Sequence, residues 1–135
     1  MNISNNIDKT PNILIVDDNS KNLLALETIL EELTVNVITA GSAKDGLHLL
    51  TQHDFALILL DVQMPEMDGF EMANLMRNNK RLSSIPIIFV TAINKEEHYI
   101  HKGHEAGAVD YLFKPVDEVI LRSKESVFLE NYNQR

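Results

Sequence analysis

Cysteine is absent from the 135 residues. That excludes a disulfide framework and thiolate zinc sites, and it fits a reducing compartment. Tryptophan is absent as well, and aromatic residues make up only 6%. The five glycines form no phosphate-cradling loop. Positive charge is in short supply: 12 Lys and Arg stand against 20 Asp and Glu, a net charge of −8. A surplus of that sign argues against general nucleic-acid binding, because phosphate backbones select Lys/Arg patches. It does not argue against binding a cation. No apolar run approaches the ~20 residues needed to span a bilayer. The opening MNISNNIDKT lacks the apolar core of a signal peptide. The simplest reading is one cytoplasmic domain with no membrane segment.

What is present is enough apolar sequence, 44%, to build a core. Residues 1–11 are polar and Asn-rich and read as a flexible leader. Ile13-Leu14-Ile15-Val16 is a short, β-branched run that stops at Asp17-Asp18, the pattern of a buried strand. Asn19 or Ser20 can cap a helix whose apolar stripe is Leu23, Leu26, Leu30 and Leu33. Val35 to Ile38 reads as a second strand. Ser42 with Asp45 resembles a capping box before Ala43, Leu47 and Leu50. Phe55 to Leu60 is an apolar run that stops at Asp61, and Phe70, Ala73, Leu75 and Met76 mark a third helix. Ile85 to Val90, closing at Thr91, is a fourth strand. Lys95 to Ala106 suits a fourth helix, stopped by Gly107. Val109 to Phe113, closing at Lys114-Pro115, is a fifth strand, and a last helix runs from about Asp117 to Tyr132. Strand and helix thus alternate five times. Near-continuous apolar strands imply a parallel sheet covered on both faces.

Four of these strands end in polar residues: Asp17-Asp18, Asp61, Thr91 and Lys114. Open parallel α/β sheets bind ligands outside the carboxyl ends of their strands. The site would gather three carboxylates, a hydroxyl and an ammonium. Carboxylates ~4 Å apart repel by about 4 kcal/mol per pair at an effective dielectric near 20. The cluster must therefore take up protons or a cation. Oxygen-only donors suit Mg²⁺, with Mn²⁺ as a substitute. One carboxylate oxygen would remain to attack an electrophile, while Lys114 and Thr91 meet the oxygens of an arriving phosphoryl group. Phosphoryl transfer asks a protein for little beyond that positioning and charge stabilisation.

The blocks IVDDN, LLDVQMPEMDG, FVTA and YLFKP resemble, in order and spacing, the four blocks of the receiver domains of two-component response regulators. The resemblance covers roughly Asn12 to Tyr132. It implies a flavodoxin-like (βα)5 sandwich whose five parallel strands lie in the order 2-1-3-4-5. It implies Asp61 as the phosphoacceptor, receiving its phosphoryl group from the phosphohistidine of a histidine kinase or phosphotransfer domain. Asp18 becomes a direct Mg²⁺ ligand, Asp17 acts mainly through a bound water, and the Gln63 backbone carbonyl completes the protein's share. Thr91 and Lys114 contact the phosphoryl group. Tyr111 is the switch aromatic that follows Thr91. The Lys114–Pro115 bond is expected to be cis. The readout is the face made by the fourth helix, fifth strand and fifth helix, through which receivers commonly dimerise. Gln63 and Ile93 occupy the positions that tune dephosphorylation. Ile93 has no group to position a water, so fast self-dephosphorylation is not expected. On this reading the segment is no enzyme beyond its own phosphotransfer and autodephosphorylation.

Blander readings exist for each part. Asp17 and Asp18 serve equally as helix caps, but a cap does not account for Asp61 and Lys114. Thr91 and Lys114, taken alone, are ordinary strand-end and turn residues. Tyr111 is otherwise a static core aromatic. His98, His101 and His104 repeat every third residue but drift around a helix, which favours a solvated face over a metal stripe. Met64, Met67, Met72 and Met76 suit loop and core packing. Lys124 and Glu125 interrupt the stripe Leu121, Phe128, Tyr132 of the last helix. That helix runs on through FLENYNQR without Gly or Pro, which fits a frayed end. It equally fits an N-terminal piece whose helix continues into another domain, as in receivers that precede histidine-kinase or diguanylate-cyclase modules. Two other functions compete. An aspartyl phosphohydrolase of the haloacid-dehalogenase type usually carries a second acid two residues after its nucleophile, where Gln63 stands. A flavin-binding module would set the flavin phosphate against an acidic pocket.

Overall fold

The computed structural model describes residues 10–92 and 110–133. Within them lie β1 (Asn12–Val16), α1 (Ser20–Leu30), β2 (Asn36–Ala40), α2 (Ala43–Leu50), β3 (Leu57–Asp61), α3 (Gly69–Arg77), β4 (Ile87–Thr91), β5 (Asp110–Phe113) and a C-terminal helix, α4 (Glu118–Asn133). The five strands are parallel and ordered β2-β1-β3-β4-β5. This is the flavodoxin-like order that the four sequence blocks implied.

Burial follows from that order. β3 and β4 lie inside the sheet, and all their residues are buried. The edge strand β2 is buried only at Ala40. The period-2 alternation of the strands divides the core into two layers. Leu14, Val16, Ile58, Leu60, Ile87 and Phe89 face α2 and α3. Ile13, Ile15, Leu57, Leu59, Ile88 and Val90 face α1 and α4 through Leu26, Leu30 and Leu121.

Several boundaries move from where the sequence put them. β2 runs Asn36–Ala40 instead of Val35–Ile38, because register with β1 pairs Asn12 with Asn36 and Val16 with Ala40. The Val35 N–H turns back to Leu33 O. β4 begins at Ile87 because Pro86 has no N–H to give and the Ile85 N–H returns to Leu82 O. Only half of the expected capping box forms at α2, where Ser42 accepts from the Asp45 N–H. The reciprocal box caps α3, between Asp68 and Glu71. Asn19 caps α1, accepting from Lys21 and Asn22.

The last helix holds the largest departure. Glu125 does not break its buried face but belongs to it, at 1% exposure. Arg122 on the neighbouring flank reaches Glu32 and the Ile29 carbonyl, tying α4 to α1. Among the described residues no helix is long and apolar enough to cross a membrane. The leader through residue 9, the predicted fourth helix, Ile93 and the three histidines at 98, 101 and 104 lie outside the described residues.

Candidate functional site

The site is built at the carboxyl edge of the sheet. β1 is continuous with Asp17 and Asp18, β3 ends on Asp61, β4 on Thr91, and β5 leads into Lys114. β3 and β4 are apolar until their last residue, and β1 and β5 hand over to acid and lysine just beyond their ends, so the polar groups emerge together where the strands run out. Asp17, Asp61 and Thr91 are buried, and Asp18 is exposed.

Lys114 is the hub. Its Nζ donates to Asp17 Oδ2 at 3.0 Å and to Asp61 Oδ1 at 3.2 Å. Its backbone N–H donates to Thr91 O at 2.9 Å, which fixes β5 against the end of β4. The Lys114–Pro115 peptide is cis. Asp17 Oδ1 accepts from the Asn19 N–H at 2.9 Å and from Asn22 Nδ2 at 3.5 Å, so the start of α1 orients this carboxylate.

The electrostatics are those of a crowded, partly buried cluster. Burial, then the Asp17 carboxylate, pushes Asp61 from its ordinary 3.8 to about 6, although Lys114 works the other way. Burial alone would lower the Lys114 ammonium. Its bonds and charges with Asp17 and Asp61 outweigh that and hold it above its usual range. The two shifts have different causes: burial and a neighbouring carboxylate hold the proton on Asp61, while two carboxylate partners hold it on Lys114.

Asp17, Asp18 and Asp61 each offer one oxygen, all within 4.8 Å of one another. Three ionised carboxylates and one ammonium leave a surplus of negative charge that a divalent cation would balance. The donors are all oxygen, as Mg²⁺ requires, and one acid is exposed at the entrance. The residues present fit the ion.

Gln63 is exposed in the loop after β3. Tyr111 is half-buried, with its ring 5.6 Å from Phe89, whose own ring is 4.8 Å from Phe70. An aromatic row therefore joins β5 to the start of α3.

The residues that match the response regulator receiver domain family run from 13 to 124. The chain belongs to that family. It is a receiver domain, a signalling module of two-component systems. It is 40% identical over 120 residues to a "probable cyclic di-GMP phosphodiesterase" of Vibrio cholerae, covering 88% of this chain and 26% of that protein. It is 38% identical over 114 residues to the transcriptional regulatory protein SrrA of Staphylococcus aureus, covering 83% of this chain and 46% of that one. Among solved structures it is similar to the signal receiver domain of a signal transduction histidine kinase from Syntrophus aciditrophicus. That match has a TM-score of 0.82 and 30% identity over 90% of this chain and 92% of that one. The receiver thus spans between a quarter and a half of the curated relatives it matches.

The sequence marks Asn19 only as a cap candidate and gives Asn22 no role, yet both hold the Asp17 carboxylate. Nothing in a first-turn asparagine marks it as a partner of an acid five positions earlier. The Asp68–Glu71 box does leave a sequence signal, the spacing D-x-x-E.

Proposed function

We propose that Asp61 is the acceptor of this receiver and that the residues around it hold the roles the family pattern gives them. The observation that carries this is the Lys114 ammonium bridging Asp17 and Asp61 beside the exposed Asp18. A carboxylate oxygen of Asp61 attacks the phosphorus of a phosphohistidine. The O–P bond forms as the P–N bond breaks, and the electron pair leaves on a neutral imidazole whose other ring nitrogen already carries its proton. Lys114 neutralises charge on the transferred group. Thr91, buried at the end of β4, donates its hydroxyl to one phosphoryl oxygen. Asp18 would hold Mg²⁺ directly, with Asp17 through a water and the Gln63 carbonyl completing the set. Bound there, the ion supplies charge neutralisation at the phosphoryl oxygens.

Displacement of Thr91 toward the acyl phosphate leaves room that the Tyr111 ring follows. The face around β5 and the helices flanking it then presents a different surface to a partner, which includes a second copy of the chain. A differential preference of a few kcal/mol between the two states is enough for such a switch. The donor is a histidine kinase or a phosphotransfer protein. The test is phosphotransfer from a phosphohistidine donor with Mg²⁺ present. The parent is labelled, Asp61→Asn is not, and equal labelling of both removes the assignment.

A second reading concerns the whole protein. The 40% identical Vibrio relative carries a match over only 26% of its length. We propose that this receiver is the regulatory front end of a longer protein with an enzymatic or transcription-regulating output. The natural reading frame beyond α4 tests it directly. An aspartyl phosphohydrolase is disfavoured because Gln63 supplies no acid two positions after Asp61.

A further inference from the structure

Gly69 stands where a side chain does not fit. It is the first residue of α3, and its N–H donates to Val62 O at 2.8 Å. A Cβ built on it would lie 2.2 Å from the Asp61 carbonyl oxygen, 3.0 Å from the Asp61 carbonyl carbon and 3.1 Å from Val62 Cα. Non-bonded carbon contacts settle near ~3.5–4.0 Å, so even a methyl group requires something to move by about 1 Å. The glycine is needed for space, and the obstacle is backbone, which has no rotamer to change.

Two bodies meet at this contact. One is the start of α3, held by the Asp68–Glu71 capping box and by buried Phe70 packed edge-on against Phe89. The other is the peptide that follows Asp61, at the point where β3 has just ended. The first is anchored on several sides. The second is the end of a strand, and it carries the Asp61 carboxylate on one flank and the Gln63 carbonyl two residues on.

We infer that Gly69 is a positioning residue for the acceptor. By letting α3 approach the Asp61 carbonyl, it sets where the Asp61 carboxylate stands relative to Lys114 and the other acids. This rests on the reading of Asp61 as the acceptor. Misplacing a reacting group by about 1 Å costs up to ~100-fold in rate.

The experiment compares Gly69→Ala with Gly46→Ala. An added methyl at Gly46 also meets close contacts, but with side chains: Val16 Cγ2 at 3.0 Å and Met72 Cε at 3.1 Å. It strains the core without touching the Asp61 peptide. Both proteins are phosphorylated with phosphoramidate and Mg²⁺, and the rate is followed against donor concentration. Gly69→Ala is expected to lose between about tenfold and about 100-fold in limiting rate, with little change in the half-saturating donor concentration. The upward shift of its melting temperature on adding Mg²⁺ is expected to shrink. Gly46→Ala keeps the parental rate and the parental Mg²⁺ shift, whatever it loses in stability. Parental kinetics in folded Gly69→Ala overturn the inference, as does an equal loss in Gly46→Ala. Failure of Gly69→Ala to fold overturns it too, since the strain would then fall on the whole fold. If the parent takes no label, or Asp61→Asn takes as much, the acceptor reading goes and the inference with it. The other adverse outcomes remove the inference alone.

Discussion

The Lys114 ammonium lies 3.2 Å from Asp61 Oδ1, a contact made across 53 positions of sequence. It also bonds to Asp17, so removing it takes the ammonium from two buried carboxylates at once. Lys114→Ala is expected to raise Asp61 further, because the group that lowers its pKa is gone. Without metal the variant should lose about 1.5–3 kcal/mol, the range for hydrogen bonds to charged groups. Carboxyl NMR titration and urea melts check both effects. An unchanged Asp61 midpoint would show that the ammonium and the acid do not communicate.

Cation binding should answer to Asp18. Mg²⁺ at ~100 times its dissociation constant stabilises a folded protein by about 2.7 kcal/mol. The parent is expected to melt several degrees higher with Mg²⁺ than with chelator. Asp18→Ala, which deletes the exposed acid of the cluster, should lose most of that difference. Equal Mg²⁺ shifts in the two proteins would exclude Asp18 as a ligand.

Glu125 makes stability depend on pH. Burial raises its pKa from an ordinary 4.5, a hydrogen bond from Ser126 works the other way, and Oε2 has no hydrogen-bond partner among the described residues. The folded state therefore prefers the neutral acid. Its contribution is fully present below 4.5 and is lost as pH rises through the folded-state value. Glu125→Gln is expected to melt higher than the parent at about pH 8, with the gap closing below about pH 4. A constant gap across that range would mean that Glu125 does not titrate with folding.

Asp117 accepts from the N–H groups of Val119 and Ile120 and so caps α4 directly after the Lys114-Pro115 turn. Asp117→Ala should cost about 1 kcal/mol. Hydrogen exchange is expected to quicken in the first turn of α4 and to stay unchanged in α1–α3. A change spread evenly over the fold would contradict a local cap.

The alternation of apolar runs with amphipathic stretches made the fold legible, because a buried parallel strand and a half-buried helix write different periods. The site was legible for a related reason. Asp17, Asp61, Thr91 and Lys114 each break an apolar run at its carboxyl end, and a parallel sheet gathers those ends. What escaped depends on distances across space. The burial of Glu125 is set by what packs over α4, not by its neighbours in sequence. The contact of Gly69 with Asp61 follows from how the loop of residues 62–68 returns on itself. The shift of β2 toward Ala40 was fixed by register with β1, which the local pattern of an edge strand specifies weakly.

The strand order has a consequence for the timing of competence. The acids arrive just after β1 and at the end of β3, but their ammonium partner lies beyond β5, an edge strand and the last to be made. During synthesis the chain presents Asp61 long before Lys114 exists to join it. A nascent copy therefore carries the Asp61 carboxylate before its electrostatic partner has been made. If Asp61 is the acceptor proposed above, labelling that depends on Lys114 would also report that the far edge of the sheet has closed.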